Sequence, residues 1–156
     1  MYHIKKVSLE SIKALWQQFE GADPDASPFA AYEFTEILFS SYRADTNPNA
    51  RWRRKPVIYC IYDGNTPLVI APLFKTITRQ GIRYTTLGAD YRIVFEEFIY
   101  NPQITQKQVE ECMELLIKKL HFIRFYLISP ESRIYQFLSH NHQKLKDEVC
   151  VDCALP

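Results

Sequence analysis

Three strand-like runs follow one another in the middle of the chain with only turn residues between them, and this limits the fold more than any other feature. Val57 to Tyr62 and Leu68 to Thr78 flank Asp63-Gly64-Asn65-Thr66, whose Asp-Gly suits an antiparallel hairpin. Arg79-Gln80-Gly81 then turns the chain into Ile82 to Leu87. After Gly88-Ala89-Asp90-Tyr91, the run Ile93 to Tyr100 reads as another strand. A meander with no helix inside it fits a plainly alternating, doubly wound parallel sheet poorly. Pro72 cannot donate to a ladder, so it implies a bulge or an unpaired amide inside the second of these strands.

Helical periodicity brackets the meander. His3 to Val7 is a short strand, after which Ser8 caps a helix with Ile12, Leu15, Trp16 and Phe19 on one face and Gly21 at its end. Ser27-Pro28 opens a second helix whose apolar face is Phe34, Ile37, Leu38 and Tyr42. Ala44 to Pro56 reads as a loop, broken at Asn47-Pro48-Asn49 and carrying the basic run Arg51-Trp52-Arg53-Arg54-Lys55.

Beyond the meander, Thr105 and Gln108 form a capping box for the clearest helix, with Val109, Cys112, Met113, Leu116 and Leu120 as its buried stripe. Phe122 to Ile128 follows as a central strand, so the spacing predicts a right-handed crossover between parallel neighbours, Ile93 to Tyr100 and Phe122 to Ile128. Ser129-Pro130 caps a last short helix with Ile134, Phe137 and Leu138 inward, and Val149 to Leu155 is a final strand. The expected fold is α/β: a mixed sheet of six or seven strands with helices on both faces, switching from antiparallel to parallel across the Thr105 helix.

Composition narrows the function classes. At 156 residues the chain fits one domain, and 47% hydrophobic residues are enough for a core without disulfides or metal. Nineteen Lys+Arg against 18 Asp+Glu leave a net charge of +1, so no global field recruits nucleic acid or an anionic membrane, and neither is an expected partner. No apolar run approaches the roughly 20 residues of a membrane span. The start, Met1-Tyr2-His3-Ile4-Lys5-Lys6, lacks the apolar core of a secretory signal, which reads as cytoplasmic.

The element order, Trp16 in the first helix, Ser27-Pro28-Phe29, Ala71-Pro72-Leu73, Leu87-Gly88 with Asp90-Tyr91, and the closing Cys150-Val151-Asp152-Cys153-Ala154-Leu155-Pro156 together resemble a known family. They are similar to the N-terminal half of the cellulose-biosynthesis-type (CelD-like) acetyltransferases of the Gcn5-related N-acetyltransferase (GNAT) superfamily, relatives of the FemAB-type peptidoglycan aminoacyltransferases. The resemblance implies one GNAT-like domain over residues 1–156, the first of two in a longer protein. It also implies acyl transfer to a cell-envelope or exopolysaccharide precursor, with this domain on the substrate side. The alternative is a non-catalytic binding or interaction module on the same fold.

An acetyl-CoA site in this fold needs a Gln/Arg-x-x-Gly-x-Gly/Ala loop at a helix N-terminus, where glycines let backbone amides close on the pyrophosphate. None of the four glycines fits: Gln18-Phe19-Glu20-Gly21-Ala22-Asp23 fails at Asp23, and the loop before Thr105 reads Asn101-Pro102-Gln103-Ile104. This chain alone is therefore expected to bind no cofactor, acyl-CoA being left to a full-length protein. Its partner is expected to be a missing C-terminal GNAT domain or a second copy of itself, meeting the apolar run that ends at Pro156.

Asp90 and Tyr91 are the candidate catalytic pair, general base and acid or orienting donor, with Arg83 and Arg92 nearby as substrate contacts. The plainer reading is a turn aspartate and a half-buried tyrosine. Trp52 among cations could hold an anionic small molecule by charge and stacking, or belong to a solvated loop. Cys150-x-x-Cys153 with His140 and His142 invites a metal, but a spacing of three in a strand points the thiols to opposite faces, so ordinary reduced cysteines are expected and no metal.

Overall fold

The computed structural model describes residues 1–23, 27–44, 53–86, 97–126, 128–141 and 150–154, with backbone alone at 42–44, 53–54, 126, 141 and 150–154. It is a mixed α/β protein built on one mixed sheet. The strands are β1 (Tyr2–Val7), β2 (Arg53–Asp63), β3 (Thr66–Thr78), β4 (Gly81–Thr86), β5 (Ile99–Tyr100), β6 (Phe122–Tyr126) and β7 (Cys150–Ala154). The helices are α1 (Leu9–Ala22), α2 (Tyr32–Ala44), α3 (Gln106–Leu120) and α4 (Arg133–Asn141). The sheet runs β1-β2-β3-β4-β6-β7, with β5 attached to β3; among the described residues only β4 and β6 pair in parallel.

The hairpin turns at Gly64, whose φ of 58° is a conformation that glycine adopts without strain. Its first strand begins at Arg53, so Arg53 to Pro56 is strand where the sequence suggests loop. The physical reason is the length of β3, which reaches Thr78 and offers Phe74 to Ile77 as partners. Residues 45–52 lie outside the described residues.

The two faces of the sheet divide by side-chain parity. Tyr59, Ile61, Val69, Ala71 and Leu73 pack under α3 and α4 with Cys112, Met113, Leu116, Phe137 and Leu138. Ile58, Cys60, Ile70 and Phe74 pack on the other face under α1 and α2 with Ile12, Trp16, Phe19 and Leu38. Each fully buried apolar side chain stabilises by roughly 1.5–3 kcal/mol, so both layers are needed. Helices cover both faces, as expected.

Helix starts are set by local hydrogen bonding. Ser8 and Ser11 form a reciprocal capping box on α1, and Thr105 and Gln108 form the expected one on α3. The Ser27-Pro28 signal opens only a 3-10 turn, Pro28–Ala30; Ala31 is extended, and α2 starts anew at Tyr32, whose N–H donates to Glu20 Oε2 at 3.2 Å. Likewise α4 begins not at Ser129-Pro130 but after Ser132, whose hydroxyl accepts from Tyr135 N at 3.0 Å.

The expected parallel pair after the meander is corrected. Described strand covers only Ile99 and Tyr100 of the run from Ile93, and they pair antiparallel with Ile70 and Val69 of β3, not with β6. The parallel neighbour of β6 is β4, through Tyr84 opposite Ile123 and Thr85 opposite Arg124. Thus β4 and β5 run the same way along one edge of β3. Continuing the β4 register, in which Leu73 faces Thr86, would set residue 89 opposite Ile70; Ile99 stands there instead, an offset of ten residues.

Pro72 sits at this step. Main-chain groups alternate between the two edges of a strand, and Leu68 faces β5, accepting from Asn101 N at 2.8 Å. Pro72, four residues on, faces the same edge between the last β4 partner at Leu73 and the first β5 partner at Ile70. Among the described residues no strand partner stands opposite Pro72 on that edge, so its missing N–H costs no described ladder bond. The bulge in β3 lies elsewhere, opposite Ile61 and Tyr62.

Candidate functional site

Because β6 pairs with β4, no described strand lies on the outer side of β5, and a cleft of about 680 Å3 opens there. Its walls come from the end of α1 with the 3-10 turn, from residues 97–100, and from the turn 129–133 into α4. These pieces belong to helical layers on opposite faces of the sheet, meeting where the sheet is interrupted. Tyr100 lies between residues whose main chain faces β3, so its own N–H and C=O point to the open side.

Glu97 is the centre of this wall. Its Oε1 accepts from the Tyr100 hydroxyl at 2.6 Å and from Phe98 N at 3.1 Å, and its Oε2 accepts from Arg133 N at 2.9 Å. The residue keeps some exposure to the cleft, while its carboxylate lies deep among protein atoms. Burial pushes this carboxyl up to about 7, against the opposing pull of the Tyr100, Phe98 and Arg133 hydrogen bonds and of the Arg133 charge. Tyr100 is held well above the ordinary phenol range, first by burial and then by the neighbouring Glu97, so it stays a proton donor. A carboxyl poised near neutrality at a cleft wall is suited to general-base work.

The guanidinium of Arg133 is engaged elsewhere. Its Nη1 donates to Ile104 O at 3.1 Å, and its Cζ lies 5.3 Å from the centre of the Tyr100 ring. Beside Arg133, the described lining of the cleft holds Glu20, Asp23, Glu97 and Glu131, so carboxylates predominate among the described residues. The 3-10 turn is anchored by Trp16, fully buried, whose Nε1 donates to Ala30 O at 2.9 Å and whose ring meets Tyr32 edge-on at 5.8 Å.

Of the catalytic and substrate-contact candidates read from the sequence, Arg83 alone falls among the residues described. It lies on β4, donates through Nη2 to Gln80 Oε1 at 2.7 Å, stacks 5.6 Å from the Phe122 ring, and does not line the cleft. Asp90, Tyr91, Arg92 and Trp52 lie outside the described residues, as do His142 and the side chains of Cys150 and Cys153. Among the described residues, no group of three or more His, Cys, Asp or Glu could hold a metal ion, and no helix is long and apolar enough to cross a membrane.

Comparison with protein families, with curated proteins and with solved structures finds no match. Function is therefore read from the cleft. Sequence reasoning missed Glu97, Tyr100 and Arg133; the one local signal is a pair of acids, Glu96-Glu97, inside an otherwise apolar run.

Proposed function

We propose that this chain is the acceptor-side domain of a GNAT-type acyltransferase, with Glu97 as general base toward an amine-bearing acceptor. The observation that carries the reading is the hydrogen-bonded Glu97–Tyr100 pair in the wall of the cleft beside β5. An acceptor ammonium enters among the carboxylates and loses a proton to Glu97 Oε2, which accepts only one bond. The freed nitrogen lone pair then attacks the acyl carbonyl, and the donor's leaving group departs with the bonding pair and takes up the proton that the new amide nitrogen sheds. Tyr100 keeps Oε1 in place throughout.

The sequence resemblance supports a cell-envelope or exopolysaccharide precursor as acceptor, and the acidic cleft favours one bearing an amine, such as an amino sugar. The loop before α3 supports leaving the acyl-CoA to another domain. Its amides are already used: Gln103 N donates to Asn101 Oδ1 at 2.9 Å, Ile104 N to Asn101 O at 2.9 Å and Thr105 N to Gln108 Oε1 at 3.0 Å. A phosphate arriving there finds occupied donors.

One observation favours a second reading, a binding or interaction module on the same fold: Glu97 also holds the first N–H of α4, a structural task. Titration with glucosamine, followed by backbone amide shifts, separates the two. The enzyme reading expects saturable shifts at 97–100 and 129–133, absent with N-acetylglucosamine and about tenfold weaker in Glu97→Gln. Equal binding of both sugars, or none, removes it; glucosamine affinity unchanged in Glu97→Gln identifies the module.

A further inference from the structure

Besides Met1, four large apolar side chains among the described residues stay exposed, and they form two groups set among charges of opposite sign. Phe29 on the 3-10 turn is 41% exposed and Ile37 on α2 is 64% exposed; Ile77 on β3 is 43% exposed and Ile82 on β4 is 47% exposed.

The first group is acidic. Phe29 meets Phe34 edge-on, ring centres 5.5 Å apart, and Phe34 and Ile37 lie on one side of α2, a turn apart. Glu33 and Glu36 flank them, both exposed, with Glu33 Oε1 accepting from Gln17 Nε2 at 3.2 Å. A described cation nearby, Lys13, has its Nζ 4.9 Å from the centre of the Tyr32 ring. The second group is basic. Lys55 stands opposite Lys75, Lys75 opposite Tyr84, and Ile77 opposite Ile82. Side-chain parity puts them on the face that carries Val57, Leu73 and Tyr84, at an end of the sheet where Ile77 and Ile82 remain uncovered. Like charges directly opposite repel, so the Lys55–Lys75 rung is relieved when an anion lies over it.

Helix α2 packs on the other face of the sheet, through Leu38 and Phe39. The two groups therefore look away from one another and cannot meet within one molecule, yet each supplies the charge that the other lacks. We propose that copies of this chain associate head to tail, the Phe29, Glu36 and Ile37 face of one docking on the Lys55, Lys75, Ile77 and Ile82 face of the next. The apolar side chains cover one another, and Glu33 and Glu36 come over the two lysines. Because the faces look in opposite directions, the contact repeats from copy to copy and does not close as a twofold dimer. The proposal uses neither the cleft nor the terminal strand, so it stands apart from the reading of acyl transfer.

Sedimentation velocity of the full chain at low salt, from about 10 μM to about 1 mM, tests it. The mean sedimentation coefficient of wild type is expected to rise with concentration, and to rise less at high salt. Ile37→Asp and Ile82→Lys each spoil one face, removing its apolar contact while keeping its sign of charge, and leave the other intact. Each alone should associate about tenfold more weakly or less. An equimolar mixture of the two restores one good contact and should give dimers that grow no further. Should either variant fail to fold, Glu36→Lys and Lys75→Glu take their place, association being lost in each and recovered when both changes stand in one chain. A monomer throughout the range, association that neither variant weakens, or a mixture or double variant no stronger than the single ones overturns the proposal.

Discussion

Arg133 meets Glu97 with its main-chain N–H, at 2.9 Å, and not with its guanidinium, which reaches Ile104 O and covers the Tyr100 ring. A carboxylate paired bidentately with arginine would be driven down in pKa; one that receives only a helix amide from the same residue is left to the effect of burial.

That division ranks two substitutions. The Tyr100 hydrogen bond is the largest influence lowering the Glu97 pKa and the Arg133 charge the smallest. Both Tyr100→Phe and Arg133→Met should raise the Glu97 midpoint above about 7, and Tyr100→Phe should raise it more. Carboxyl carbon shifts against pH measure both, and the reverse ranking would contradict the geometry.

The same carboxyl sets a pH dependence of global stability. Its folded pKa lies above its unfolded one, so its contribution is fully present below about pH 4.5 and is lost as pH rises to about 7. The loss is on the order of 3 kcal/mol at most. Urea unfolding at pH 5 and pH 7.5 should show wild type losing stability relative to Glu97→Gln over this interval. A parallel response of the two proteins would exclude Glu97 as the source.

Trp16 ties α1 to the cleft wall through Ala30. Trp16→Ala removes a fully buried indole and leaves the Ala30 carbonyl unpaired, a cost of about 3–5 kcal/mol. Chemical denaturation should show a midpoint shift of that size. A loss below about 1 kcal/mol would mean that the 3-10 turn closes over the gap.

His121 ends α3 with a φ of 62°, in the left-handed region where a side chain is strained and glycine is not. His121→Gly should stabilise by up to about 1 kcal/mol, the relieved strain outweighing the added freedom of the unfolded chain. Thermal unfolding at one pH reads the gain, and a lower Tm would show that His121 makes a contact worth more than the strain.

Isothermal calorimetry with acetyl-CoA examines the loop before α3. No saturable heat is expected at micromolar concentrations, because Gln103, Ile104 and Thr105 already spend their amides internally. Micromolar binding would show that the loop rearranges around a phosphate.

Much of the scaffold was readable from the chain because its signals are local. The Thr105 and Gln108 box is three residues long, the stripe Val109, Cys112, Met113, Leu116 has helical spacing, and Asp63-Gly64 turns a hairpin. The crossover was misassigned because alternation in residues 93–100 does not say which strand receives them, and the ten-residue offset along β3 has no local trace. The cleft was illegible for a related reason. Glu97 and Arg133 are 36 residues apart, and each alone reads as a surface charge. Ser129-Pro130 looks like the start of α4, although the Ser132 hydroxyl and the Glu97 carboxylate are what receive its first amides.

Pro72 also bears on how the chain avoids folding wrongly. A hairpin such as β3 and β4 zips outward from its turn, one pair of bonds after another, and would run on past Leu73 toward Ile70 unless something stopped it. With no amide to give at position 72, the next rung yields less, and the edge at Val69 and Ile70 stays vacant for Ile99 and Tyr100, which arrive later along the chain. Were the zipper to finish first, Tyr100 would have no strand to join and Glu97 no tyrosine to lean on. A proline absent from the walls of the cleft thus weakens the rung that would compete for the edge on which Ile99 and Tyr100 sit, and so favours the placing of the carboxylate beside them.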